Sequence, residues 1–151
     1  MKYVAAIIFS MLSVSVQAGD VSIYKEGKPT SVFILDGTGK GSGTSRFYLI
    51  STDFPRGTLS KMKTLKSIYW KTTYYPNNTG EKVRLCYIRP YSTREEGCVS
   101  ISPNSSGSVT NFNNYKFGNG AGVNIRHEVT GGDKFGRPAG KNFIIFNYYE
   151  H

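Results

Sequence analysis

The chain has 151 residues, 19 Lys plus Arg against 10 Asp plus Glu for a net charge of +9, and an excess of 17 Gly, 11 Tyr and 9 Phe. That length leaves room for one compact domain and not for a second one carrying a cofactor. Charged residues at 19% fall below the usual quarter or so, while aromatics suit pleated strands and glycines the turns between them, so a mostly β, loop-rich protein is expected.

The chain opens with a cationic Lys2, an apolar run from Val4 to Val16 and the small-residue ending Val16-Gln17-Ala18 before Gly19. This reads as a secretory signal peptide over residues 1–18, followed by a single β-rich domain over 19–151 that is secreted or periplasmic. The apolar run is too short to span a bilayer, and no later stretch approaches that length, so the product is expected not to be membrane-spanning. Removing the leader takes away only Lys2, leaving 18 basic residues against 10 acidic ones, a net +8. Such a charge favours acidic partners. For an exported protein these are an anionic glycan or an acidic protein surface, ahead of nucleic acid; the plainer alternative is that the charge serves solubility alone.

Val32-Phe33-Ile34-Leu35 and Phe47-Tyr48-Leu49-Ile50 read as two buried strands joined through the flexible segment Gly37 to Gly43. That segment lacks the Gly-x-x-x-x-Gly-Lys-Ser/Thr spacing of a phosphate-binding loop. The run Thr58 to Trp70 is the best helix candidate, because at about 100° per residue Met62, Leu65 and Tyr69 share a narrow arc flanked by Lys61 and Lys66. Its end is ambiguous, since Ile68 to Tyr75 is rich in strand-forming types. Pro76 to Gly80 reads as a turn.

Cys86 and Cys98 are the only cysteines. In an exported chain they default to a disulfide. They lie in the strand-like segments Val83 to Ile88 and Cys98 to Ile101 around a polar turn, so the bond is expected to staple a hairpin and to contribute about 3 kcal/mol. A redox pair would normally be Cys-x-x-Cys, and zinc needs more ligands than two cysteines and two scattered histidines. Beyond Pro103, short strands are expected at 109–112, 123–129 and 143–149, with the loops at 118–122 and 131–140 too polar to pack. The last strand is apolar on both faces and should sit inside the main sheet.

Catalysis has little to draw on. Only His127 and His151 are available as bases; His127 sits beside Glu128 in a strand-like run, and the acidic residues form no local motif. No cofactor signature is present. Binding residues are better supplied: Trp70, Lys71, Tyr74, Arg89 and Tyr91 offer aromatic faces for sugar stacking and cations for a sialic-acid carboxylate or a sulfate. The alternative for Trp70 and Tyr69 is plain core.

From 59 to 103 the sequence order is Ser60-Lys61-Met62-Lys63-Thr64-Leu65, Ile68-Tyr69, Lys82-Val83-Arg84-Leu85-Cys86-Tyr87 and Val99-Ser100-Ile101-Ser102. It resembles the central helix and closing strands of the B subunits of cholera-type AB5 enterotoxins. The resemblance implies an oligonucleotide/oligosaccharide-binding (OB-like) barrel, a homo-oligomer in the form of a pentamer, and recognition of cell-surface glycans. It transfers no binding residue, because Ile88 stands where the family has its receptor-contacting Trp and the family's second Cys lies near the N-terminus. The expected fold is therefore mostly β, a small antiparallel OB-like barrel or a sandwich with one amphipathic helix. The expected function is a non-enzymatic binding protein, toxin B-subunit-like or lectin-like. A periplasmic inhibitor or immunity protein and a secreted effector enzyme are the alternatives.

Overall fold

Alternation of inward apolar and outward polar side chains runs along most of the chain and folds it into strands. The computed structural model describes residues 19–36 and 39–151. The expected signal peptide, 1–18, lies outside the described residues, as do Gly37 and Thr38 of the glycine-rich segment.

The strands are β1 (Gly19–Gly27), β2 (Val32–Phe33), β3 (Gly41–Tyr48), β4 (Lys63–Lys71), β5 (Asn78–Thr79), β6 (Lys82–Ile88), β7 (Glu95–Ile101), β8 (Ser106–Val109), β9 (Gly122–Val129), β10 (Gly131–Gly132), β11 (Phe135–Gly136) and β12 (Asn142–Glu150). Two four-stranded sheets carry the fold, a first sheet in the order β1-β12-β4-β8 and a second in the order β3-β9-β6-β7. Two short ribbons, β10-β5 and β11-β2, extend from one end. Every pairing is antiparallel.

The inner faces of both sheets feed one hydrophobic cluster. Ile23, Leu65, Ile68, Ile144 and Phe146 come from the first sheet, and Phe47, Val83, Leu85, Val123 and Ile125 from the second. Full burial of each such side chain stabilises by about 1.5–3 kcal/mol relative to leaving it exposed. The segment 110–117 closes one open side of this core: Tyr87 stacks on Phe112 and Tyr115 at 5.4 and 5.8 Å, and its hydroxyl donates to the Lys116 carbonyl at 2.7 Å. Burial pushes the Tyr87 phenol well above its ordinary pKa. Neither sheet closes on itself, so the OB-like barrel is not formed and the architecture is a loose two-sheet sandwich.

The helix expected over Thr58 to Trp70 is also absent. Among the described residues the only helical element is the single 3-10 turn Ser51–Asp53, and Lys63–Lys71 is strand β4. The expected arc of Met62, Leu65 and Tyr69 is not a buried face, since Leu65 alone of the three is buried, and the strand carries a bulge. Ser67 pairs with Asn147 and Leu65 with Tyr148, so Lys66 is an extra residue with no partner in the register. It lengthens the step between the buried side chains Leu65 and Ile68 to three residues, which imitates a helical period. Met62, counted in the helical arc, is 72% exposed.

The expected 32–35/47–50 hairpin is corrected too. β2 pairs with β11 and β3 with β9, and β3 starts within the glycine-rich segment at Gly41. The stapled hairpin forms as expected: β6 and β7 pair with Cys86 directly opposite Cys98, and the two sulfurs are bonded. β12 lies inside the first sheet, between β1 and β4, as expected, but only its inner face is fully buried, and Phe143 and Ile145 on the outer face are half-buried. β1, which forms one edge of that sheet, had no counterpart among the expected strands. The segment 131–140, expected to be too polar to pack, holds β10 and β11 and buries Gly136 and Pro138.

Candidate functional site

Strand alternation decides which residues of the candidate set face solvent. Trp70 points inward, is 7% exposed and belongs to the hydrophobic cluster. Gly107 lies directly across from it on β8, and a Cβ there would come within 2.8 Å of the Trp70 ring. Trp70 is therefore core and offers no stacking surface. Lys71, one position on, points outward and is exposed. Tyr74 follows β4, is 38% exposed, and accepts a hydrogen bond from the Ala139 amide on its carbonyl.

Arg89 and Tyr91 lie elsewhere. Both sit in the β6–β7 turn, where Arg89 pairs with Glu96 at 2.7 Å and Tyr91 is 86% exposed with a left-handed φ of 58°. Residues 71–75 lead towards the start of β6, whereas Arg89 and Tyr91 follow its end, and a strand of seven residues spans roughly 20 Å. The five candidates thus fall into two groups at opposite ends of the sandwich.

The structure gathers a different aromatic set around Lys71. On the outer face of the first sheet, Tyr24 of β1, Ile145 of β12 and Tyr69 of β4 are aligned in register, and the next outward row is Glu26, Phe143 and Lys71. Phe143 contacts Tyr24 at 5.5 Å and Tyr69 at 6.1 Å between ring centroids, forming a continuous row of three rings. The Lys71 ammonium lies 5.7 Å from the centre of the Phe143 ring. Among the described residues no carboxylate pairs with Lys71.

One end of this row is held by charge. Glu26 accepts from Lys141 at 2.6 Å and from the Tyr24 hydroxyl at 3.0 Å. The hydrogen bond from Lys141, followed by that from Tyr24, keeps the Glu26 carboxyl below its ordinary pKa, and Glu26 in turn raises Lys141. Desolvation, followed by the bond to Glu26, raises the Tyr24 phenol. Tyr69 and Phe143 are not among the expected binding residues because a helix would turn Tyr69 inward and a strand apolar on both faces would bury Phe143. Tyr24 is not among them because β1 was not anticipated; the alternation of Val21 and Ile23 with Ser22 and Tyr24 was the available signal.

A second constellation has the residue types of a catalytic site but not the access. His127 is fully buried, with Nδ1 at 2.6 Å from Glu81 and Nε2 at 2.9 Å from Asn142 Nδ2. The Thr73 amide donates to Asn142 Oδ1 at 2.8 Å, and Asn142 Nδ2 also donates to Ser45 Oγ at 3.0 Å. That network makes Asn142 a donor to Nε2, so the proton of a neutral His127 sits on Nδ1 and is donated to Glu81. Ser45 is separated from the imidazole by Asn142. Residues of both sheets meet here, and the network acts as a buried clasp between them. Cys86, Cys98 and Glu95 also come together, but the two sulfurs are bonded to each other and leave only a carboxylate for a metal ion.

Among the described residues no helix is long and apolar enough to cross a membrane. The disulfide matches an extracytoplasmic location, where such bonds persist. No family model and no curated protein matches this chain. Among solved structures, the crystal structure of FLHE is similar at 18% identity with a TM-score of 0.55, covering 89% of this chain and all of that one. At that identity the likeness is one of fold: this chain shares the arrangement of its strands with FLHE over nearly its whole described length.

Proposed function

We propose that this chain is an exported, non-enzymatic binding module, secreted or periplasmic, that takes an anionic cell-surface glycan on the outer face of the first sheet. A sugar ring stacks along Tyr24, Phe143 and Tyr69, and its carboxylate or sulfate pairs with Lys71. The observation that carries this reading is Lys71 itself, a cation with no carboxylate partner among the described residues, placed beside an aromatic row in which Tyr24 is exposed and Phe143 and Tyr69 are half-buried. The clasp around His127 supports a binding role over a catalytic one, because both ring nitrogens are taken by protein groups and the ring is sealed from solvent. A pentamer is not proposed, since it rested on a resemblance over 59–103 whose central helix this chain does not form.

The test is a glycan array probed with the oxidised mature protein, followed by titration of the best ligand. Tyr69→Ala should cost about 1–3 kcal/mol, by analogy with stacking on nucleic-acid bases. Lys71→Ala should weaken binding and reduce its dependence on salt, because exposed charge pairs are screened within about 8 Å at physiological ionic strength. Affinity untouched by both substitutions would overturn this placement. A second reading, a periplasmic inhibitor or immunity protein that covers an acidic enzyme surface, is favoured by a separate basic groove.

A further inference from the structure

Three cations without a carboxylate partner among the described residues, Lys28, Lys82 and Arg137, gather at one end of the second sheet. Where β3 and β6 begin and β9 ends, the β2–β11 ribbon walls a groove of about 660 Å³. Phe33, Leu35, Lys82, Glu128 and Thr130 are among the residues that line it. Phe33 is paired directly across the ribbon with Phe135, which lines an adjoining hollow of about 410 Å³ together with Lys28 and Arg137. Ser31 lines both spaces, so they adjoin.

Two properties of this surface need a partner. Phe33, Leu35 and Phe135 are 49%, 56% and 56% exposed, an apolar patch that water alone does not favour. Around them Lys28, Lys82 and Arg137 have no carboxylate partner among the described residues. Arg137 lies 6.0 Å from the Phe135 ring centre, and Lys134 lies 5.7 Å from that of Phe33. Of the nearby acids, Glu128 is bonded to Arg84 at 2.8 Å and Asp36 to Lys134 at 2.8 Å, which leaves Asp133 as the one carboxylate beside the ribbon without a cation among the described residues, against three such cations. Apolar side chains that wall a concavity receive another side chain, whereas insertion into a bilayer calls for a convex apolar tip. The surrounding positive charge selects the sign of what arrives.

We infer that this groove docks an acidic polypeptide segment of a partner protein, which places an apolar side chain between Phe33 and Leu35 and sets its carboxylates against Lys82, Lys28 and Arg137. The site is distinct from the aromatic row on the first sheet, and the two can be tested apart. The probe is a short fluorescent peptide alternating glutamate with phenylalanine and leucine, followed by anisotropy; its counterpart carries lysine in place of glutamate. The acidic peptide should bind and the lysine peptide should not. Phe33→Ala should weaken binding at least about fivefold, as loss of an interface anchor does. The double variant Lys82→Glu/Arg137→Glu should weaken it roughly tenfold or more.

Arg94→Glu, in the distant β6–β7 turn, and Lys71→Ala should leave peptide affinity within about twofold, and circular dichroism should show each variant folded. If Phe33→Ala disturbs the short ribbon, the exposed double charge variant still decides the matter. No binding of the acidic peptide, or an equal loss with Arg94→Glu, overturns the inference. So does sedimentation with vesicles of phosphatidylglycerol and phosphatidylcholine that needs Phe33 while the peptide is ignored, a result that would assign the patch to membranes.

Discussion

Asn142→Ala is the sharpest perturbation of the fold, because one small amide serves three partners inside the protein. Asn142 is fully buried; it accepts from the Thr73 amide at 2.8 Å and donates to His127 Nε2 at 2.9 Å and to Ser45 Oγ at 3.0 Å. Truncation leaves the Thr73 N–H and the His127 Nε2 without partners. Each unsatisfied buried group costs about 1–3 kcal/mol, so a total loss of about 2–6 kcal/mol follows for the two. That is a large part of the 5–15 kcal/mol typical of whole domains. The assay is urea unfolding followed by fluorescence of Trp70, the single tryptophan and a core residue. With an m-value of about 2 kcal/mol/M, the midpoint should fall by about 1–3 M with the slope unchanged. His127→Ala should be destabilising as well, and the double variant should show a coupling of at least about 0.5 kcal/mol. A midpoint shift under about 0.3 M, or strict additivity, would refute the idea that Asn142 holds the two sheets through His127.

Three further outcomes can be checked directly. Mass spectrometry of the non-reduced protein should find one bond between Cys86 and Cys98, 12 residues apart, with no thiol open to alkylation; reducing it should cost about 3 kcal/mol. Gly107→Ala should lower the melting temperature and alter Trp70 emission, since its Cβ would come within 2.8 Å of the ring and overpacking costs about 1–3 kcal/mol; a wild-type melt would show that the β4–β8 contact yields freely. Glu26 should titrate by NMR below its ordinary 4.5 and return towards it in Lys141→Ala. Because its folded pKa is the lower one, the stability it contributes is full above 4.5 and is lost as the pH falls through the folded value. An unmoved Glu26 midpoint in Lys141→Ala would remove Lys141 as the cause.

Local pattern carried some elements and misled on others for identifiable reasons. The hairpin staple was legible because Val83 to Ile88 and Cys98 to Ile101 each contain strand-forming residues and the polar turn between them is short. β12 was legible because Phe143 to Phe146 leaves no polar face to expose. β4 was not, because Met62, Leu65 and Tyr69 fall on one helical arc by spacing although only Leu65 is inward, and the extra residue at Lys66 breaks the period of two that would have marked a strand. That single register shift also reversed the assignments of neighbours: a strand sends Trp70 inward and Tyr69 and Lys71 outward, the opposite of what a sugar-stacking Trp70 requires.

Composition and order along the chain determined the β class, the disulfide, the basic charge and the expectation of a binding role in which Lys71 takes part. These depend on residue types and on contacts between near neighbours, which a linear string records. The aromatic row was decided by tertiary structure, since Tyr24, Tyr69 and Phe143 come from three strands far apart in sequence and meet only through the register of the first sheet. The clasp and the basic groove are of the same kind: Asn142 reaches His127 across two sheets, and Phe33 meets Phe135 across a two-residue ribbon. The separation of Lys71 from Arg89 and Tyr91 has the same origin. A seven-residue strand that runs straight through the sandwich carries residues close in sequence to its two ends, whereas lateral pairing brings distant ones together.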